Sequence, residues 1–159
     1  MNIKQTSVTV DDQDKSLKFY DDTQTLLARA GAILILLGLL TGGYVSAAMT
    51  GALPVDAGAA LASHLNAILG GFWIFAVAWS VPRLGYGPTG ARRLAWLVIV
   101  SNFANWFVTA IKAWLKVKGI AAIGEWKNDA IFGLLTALVV IPSLAAAGAW
   151  VWGLFRRRT

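Results

Sequence analysis

The chain has 159 residues, of which 57% are hydrophobic and only 14% are charged. Soluble domains carry about a quarter charged residues, so this composition indicates a membrane protein. The sequence contains no cysteine, which excludes disulfides, thiolate metal sites and cofactors attached through cysteine. The net charge of +6 is not arranged as a stripe with interleaved aromatic residues, which argues against a nucleic-acid partner.

Four long apolar runs follow one another along the chain, at residues 30–55, 61–81, 94–111 and 130–155. Each is close to or above the roughly 20 residues that a spanning helix needs. The runs do not alternate apolar and polar residues as barrel strands do. Residues 30–159 are therefore predicted to be an all-α, polytopic domain of four transmembrane helices in a lipid bilayer.

Residues 1–29 form a polar tail that carries five aspartates, and a surface helix is predicted at 16–29. The first apolar run begins too late for a signal peptide. Most Lys and Arg residues lie in the tail, at the C-terminus and in the loop after the second run; the other side has only Lys112, Lys116, Lys118 and Lys127. The positive-inside rule then predicts a multi-pass protein of the inner, cytoplasmic membrane with both termini in the cytoplasm.

Helix one contains a GxxxG pattern from Gly38 to Gly42, and Thr41 and Tyr44 lie in its outer half. Glycine is common in membrane helices, so the pattern predicts only that some helix approaches closely here.

Helix two carries the only histidine of the chain, His64, about one turn below the outer interface. Gly71 follows nearly two turns later on the same face, and Gly70 widens the gap. This strip without side chains could accommodate another helix backbone or a planar macrocycle. A single membrane histidine also often only forms a hydrogen bond between helices.

Helix three places Asn105 and Thr109 on one face, with Asn102 and Lys112 beside them. Asp129 lies at the start of helix four. All these groups fall in the outer half of the bilayer, where buried polar residues often mark function. The alternatives are that Asn105 and Thr109 link helices and that Lys112 and Asp129 reach to the interface.

Several segments resemble the styrene oxide isomerases and hydroxylaminobenzene mutases, a small family of membrane isomerases. The matching segments are "LLGLLTG", "SHLNAILGGF", "VPRLGY", "ANWFVT" and "NDAIFGLL", in this order and spacing over about four fifths of the chain, outside the acidic tail. The resemblance implies a trimer that holds haem b, with His64 as axial ligand of the iron. It also implies redox-neutral rearrangement of a small aromatic substrate, from arylhydroxylamine to aminophenol or from aryl epoxide to aldehyde.

Further site residues are expected, Asn105 from the resemblance and the others from their depth and spacing in the helices. Asn105 keeps a shared position and is expected to be catalytic together with Thr109. Gly70 and Gly71 are expected beside the haem, and Lys112, with Lys116 as a second candidate, near its propionates. Trp106 and Tyr44 are expected to line the substrate pocket, although most of the eight tryptophans would pack or anchor helices.

Two departures from the epoxide isomerases stand out. Gly70 occupies the position of their helix-two asparagine, and Thr109 that of their helix-three tyrosine. Asn66 is two residues from His64, so it points to a different face and cannot simply replace the lost asparagine. The segment "ANWFVT" looks more like the mutases.

Two alternatives from other functional classes remain open at this point. One is a haem-binding sensor or carrier without catalysis, which the two missing side chains suggest. The other is a small four-helix transporter with Lys112 and Asp129 as coupling charges, against which the lack of a charge in the middle of any helix argues.

Overall fold

The computed structural model describes the backbone of residues 10–156 and the side chains of residues 14, 15 and 17–156. Every regular element in this part of the chain is helical. The elements are α1 (Val10–Met49), α2 (Ala57–Ser80), a 3₁₀ turn (Val81–Arg83), α3 (Pro88–Leu115), α4 (Trp126–Leu134), a π-helical segment (Leu135–Val140) and α5 (Ile141–Phe155).

Four helical spans are long and apolar enough to cross a membrane: Leu17–Met49, Ala57–Arg83, Pro88–Leu115 and Trp126–Phe155. The predicted all-α class with four membrane-spanning helices is thus confirmed. The fourth span combines α4, the π segment and α5, and Pro142 lies two residues after the end of the π segment. Proline lacks the N–H of a regular helical hydrogen bond, which gives a physical reason for the altered turn before it.

The helices begin earlier than the apolar runs indicated. α1 is continuous from Val10, so the surface helix predicted at 16–29 is the first part of the same helix as the first span. Residues 1–9 of the predicted tail lie outside the described residues. α3 starts at Pro88 instead of residue 94, since Arg92 and Arg93 are helical but interrupt the apolar pattern.

Asp56 determines where α2 begins. Its carboxylate accepts a hydrogen bond from the Ala59 N–H at 2.7 Å, and its own N–H donates to the Ala113 carbonyl at 3.0 Å. This cap starts the helix at Ala57 instead of residue 61. His64 therefore lies about two turns, roughly 10 Å, from the helix start, deeper than predicted.

The two ends of the bundle differ. At one end, here called the terminal end, the start of α1 and the end of α5 meet the loop that joins α2 to α3. The Tyr20 hydroxyl donates to the Tyr86 carbonyl at 2.6 Å, the Tyr86 hydroxyl donates to the Ala149 carbonyl at 2.6 Å, and the Gly85 N–H donates to the Gly153 carbonyl at 2.7 Å. The opposite end carries the loops before α2 and after α3, and we call it the loop end.

α1 and α2 pack closely along a row of glycines. A Cβ added at Gly71 would collide with Ile35 and approach the Gly31 carbonyl oxygen at 3.0 Å. A Cβ at Gly38 would lie 3.0 Å from the Ala67 Cβ. The helix that the GxxxG pattern predicted to approach α1 is therefore α2.

We expect Gly71→Ala to lower the melting temperature of the purified protein, because α1 and α2 must separate to admit the methyl group. Overpacking of this kind costs about 1–3 kcal/mol. Gly43→Ala is the matched control, since a Cβ at Gly43 meets nothing within 4 Å. The measurement is thermal unfolding followed by tryptophan fluorescence in detergent. Equal melting temperatures for the two variants would contradict this packing.

Candidate functional site

His64 is half-buried on the face of α2 that packs against α1. Its Nδ1 lies 2.7 Å from the Gly38 carbonyl oxygen. Because a carbonyl can only accept, this contact places the proton of a neutral imidazole on Nδ1 and the lone pair on Nε2. Among the described residues, none is hydrogen-bonded to Nε2. An Nδ1–H bonded to a carbonyl is also the usual support of a metal-bound histidine.

Glycines keep the surroundings of His64 open. A Cβ at Gly42 would lie 3.6 Å from the His64 Cε1, and Gly38 supplies the carbonyl that holds the ring. Both residues belong to the GxxxG pattern of α1. The close approach of α1 therefore orients the imidazole without covering it with side chains.

Gly70 and Gly71 take part in helix packing within the chain. Both are buried, Gly71 against α1 and Gly70 against α3, where a Cβ would lie 2.8 Å from the Asn102 Oδ1. The space beside each glycine is thus filled by a neighbouring helix, and we assign neither of them to cofactor contact. Asn102 thus lies beside Gly70, the position at which the resemblance implied an asparagine in the epoxide isomerases.

A second polar set lies between α2 and α3. Asn66 Nδ2 donates to Asn105 Oδ1 at 3.1 Å and to Thr109 Oγ1 at 3.2 Å, and Thr109 Oγ1 lies 3.5 Å from Asn105 Oδ1. We call these three residues the amide cluster. Within the described part of the chain, no group is hydrogen-bonded to Asn66 Oδ1 or Asn105 Nδ2. The cluster therefore offers one acceptor and one donor to a bound molecule.

The residues predicted for the substrate pocket meet between α1 and α3. The Trp106 indole N–H donates to Thr41 Oγ1 at 3.0 Å, and Thr41 donates to the Leu37 carbonyl at 2.6 Å. Trp106, Thr41 and Tyr44 line a cavity of about 350 Å³ with Ala110, Ile111 and Trp114. This volume is typical of a small-molecule site, and its walls are mostly aromatic and aliphatic.

Lys112 and Lys116 line another cavity, of about 380 Å³, at the loop end between the start of α2 and the end of α3. Its other walls include Asp56, Ala59 and Ala62. On α2 these residues lie on the side that carries Asn66, nearly opposite His64. Within one chain, Lys112 is therefore near the level of the amide cluster and not on the face of His64.

Asp129 has a structural role in the loop before the fourth span. Its carboxylate accepts hydrogen bonds from the backbone N–H groups of Ile123 and Gly124, at 2.8 and 3.0 Å. Nothing in this arrangement resembles a coupling charge inside a transport path.

The predicted site residues thus form two sets in one chain. His64 faces α1, whereas Asn105 and Thr109 meet Asn66 on the side of α3. Asn66 was not among the predicted site residues, although it links the other two. Its position on the face of α2 that meets α3 becomes informative only once the neighbour of that face is known.

Among the described residues there is no group of three or more His, Cys, Asp or Glu side chains that could hold a metal ion. A single imidazole donor such as His64 suits a metal that brings its other ligands with it, as the iron of a macrocycle does. The chemistry and orientation of His64 therefore fit a residue that would hold a haem iron through Nε2.

Comparison with known proteins decides the family. The family model described as "Styrene oxide isomerase" matches residues 23–155. The chain belongs to this family. It is also 33% identical over 138 residues to "Hydroxylaminobenzene mutase HabB" of Ectopseudomonas oleovorans, covering 80% of this chain and 79% of that protein. No solved structure matches the chain.

Membership of the styrene oxide isomerase family confirms the predicted resemblance and makes the chain an isomerase. The carrier and transporter alternatives are therefore not supported. The family match begins at residue 23, so residues 23–29 of the tail, which was predicted to lie outside the resemblance, fall within it.

Proposed function

We propose that the chain is a haem b-dependent membrane isomerase that converts an arylhydroxylamine into an aminophenol. The observation that carries the proposal is the His64 imidazole, held through Nδ1 by Gly38 with Nε2 left available. His64 would hold the iron through Nε2. When bound, ferric haem supplies a Lewis acid for the substrate oxygen.

The conversion is balanced without an external oxidant or reductant. The N–O bond of the hydroxylamine breaks and a C–O bond forms on the aromatic ring. The ring carbon that gains oxygen loses its proton, and the nitrogen gains a proton. What the protein must do is position the substrate, exclude water and stabilise the charge that develops as the N–O bond breaks.

The amide cluster supports the arylhydroxylamine as substrate. Its free acceptor, Asn66 Oδ1, suits the N–H or O–H of a hydroxylamine, and its free donor, Asn105 Nδ2, suits the hydroxylamine oxygen. An aryl epoxide has an acceptor oxygen but no N–H or O–H. The relative HabB is named as a hydroxylaminobenzene mutase, which also favours an arylhydroxylamine as substrate.

The site requires more than one copy of the chain. His64 and the amide cluster lie on opposite sides of α2, and a helix with its side chains is about 10–12 Å across. One small substrate cannot contact both sides of the same helix. We infer that His64 of one copy and the amide cluster of a neighbouring copy complete the site at a subunit contact, in line with the trimer that the resemblance implies.

The aromatic residues and lysines that were expected at the site can be placed around this subunit contact. Trp106 and Tyr44 would form aromatic walls for the substrate ring. Lys112 and Lys116 line a cavity beside the side of α2 that carries the amide cluster. They would meet haem propionates across the same subunit contact.

Both termini are proposed to lie in the cytoplasm, with the protein in the inner membrane.

A second candidate reaction is the rearrangement of an aryl epoxide to an aldehyde, which the description of the matching family model favours. The two are separated by incubating the purified membrane protein with phenylhydroxylamine and with styrene oxide, and by identifying products chromatographically. Aminophenol from the first substrate at the higher kcat/KM supports the proposal. Turnover of styrene oxide but not of phenylhydroxylamine would contradict the proposal and favour the epoxide rearrangement.

We expect Trp106→Phe to lower kcat/KM about fivefold, because the ring loses the hydrogen bond to Thr41 that fixes it, worth about 1 kcal/mol. Trp114→Phe is the matched control, since Trp114 lines the same cavity but is largely exposed. The measurement is steady-state kinetics at equal haem content. The same loss in both variants would show that the hydrogen bond has no such role.

A further inference from the structure

A groove between α1 and α3 opens at the terminal end of the bundle. Its upper part is a cavity of about 530 Å³ lined by Phe19, Arg92, Arg93, Trp96 and Val100, among others. A second cavity, of about 270 Å³, shares Trp96 with the first and continues to Phe103. We call the two together the arginine groove.

The dimensions of the arginine groove match one leaflet of a bilayer. From Thr89, which lines the upper cavity, to Phe103, which lines the lower one, α3 rises about 21 Å. The hydrocarbon of one leaflet is about 15 Å thick. The groove therefore spans the distance from the headgroup layer to the depth of the acyl chains.

The charges in the groove are all positive. Arg92 and Arg93 line the upper cavity, and Arg29 lines the lower one beside Trp96. No carboxylate lines either cavity, and the structure records no ion pair between these arginines and any other described residue. The other walls are mainly aromatic and aliphatic, with Leu26, Ile33 and Ile99 in the lower part.

We propose that the arginine groove binds an anionic phospholipid, with the phosphate at Arg92 and Arg93 and one acyl chain lying between α1 and α3 towards Phe103. Guanidinium groups bind phosphate through paired charge-assisted hydrogen bonds, and basic pockets at a membrane surface select anionic headgroups. The apolar lower part distinguishes a lipid from a free phosphate ion. Arg92 and Arg93 lie at the other end of the bundle from Lys112, and no residue that lines the groove belongs to the proposed isomerase site, so the two sites are separate.

The test is native mass spectrometry of the delipidated full-length protein in detergent, titrated with phosphatidylglycerol or with phosphatidylcholine of the same acyl chains. The expected result is a roughly tenfold preference for phosphatidylglycerol. The double variant Arg92→Gln/Arg93→Gln should lose this preference, and both side chains are exposed, so the fold should survive.

Arg83→Gln is the matched control, because Arg83 is an exposed arginine at the same end that stacks on Trp79, outside the groove. It should keep the preference of the unchanged protein. Equal binding of the two lipids, or the same preference in the double variant, would overturn the proposal. So would full competition by millimolar inorganic phosphate, which would indicate a free-anion site, or a changed oligomer mass in the double variant, which would assign the groove to a second copy of the chain.

Discussion

Replacing His64 by glycine is expected to remove both the Soret absorption and the isomerase activity, and added imidazole should restore both. The substitution takes away the proposed iron ligand but leaves Gly38 and Gly42 in place, so an imidazole molecule can enter the same space. Without the haem, the Lewis acid that stabilises charge in the transition state would be lost, and removal of even one such group costs about 10²–10³ in kcat. Absorption spectra and aminophenol formation are measured with and without imidazole.

Asn66→Leu serves as the control for His64→Gly. It alters the amide cluster on the other side of α2, so it should retain the Soret band while losing activity. A His64→Gly protein that keeps its haem would show that His64 is not the ligand. Loss of haem in both variants would instead indicate a general effect on the fold.

Mixing two inactive variants is expected to restore activity. If the site combines His64 of one copy with Asn66 of the next, a trimer formed from His64→Ala and Asn66→Leu chains contains some contacts at which both residues are intact. In a ring of three that contains both variants, one contact in three is complete, so about a third of the unchanged activity should return.

The complementation is measured by co-expressing the two variants with different affinity tags and purifying mixed oligomers by both tags in turn. Homotrimers of each variant are the controls and should stay inactive. Mixed oligomers that contain both tags and remain inactive would contradict a site shared between copies.

Much of the fold was predictable from the sequence because spanning helices are specified by apolar length, which can be counted directly. The ends of the helices were less accessible. Arg92 and Arg93 interrupt the apolar pattern but not the helix, and the start of α2 depends on the carboxylate of Asp56. Helix caps depend on local hydrogen bonds, and a first turn can contain charged residues. Neither feature is detected by counting consecutive apolar residues.

For the candidate site, the sequence predicted which residues share a helix face, but not which helices those faces meet. Helical periodicity correctly placed His64 and Gly71 on one face, and Asn105 with Thr109 on another. Which helix each face meets depends on how the helices are rotated about their axes and how they cross. Short polar side chains such as those of Asn and Thr do not specify this rotation or crossing. The role of Asn66 therefore became visible only when α3 was seen beside it.

The measurement that most directly tests the central claim is the absorption spectrum of the purified, detergent-solubilised protein, with haem b content determined as the pyridine haemochrome. A Soret band with stoichiometric haem b is the predicted result. A colourless protein that still converts phenylhydroxylamine to aminophenol would contradict the assignment of His64 as the ligand on which the proposed reaction depends.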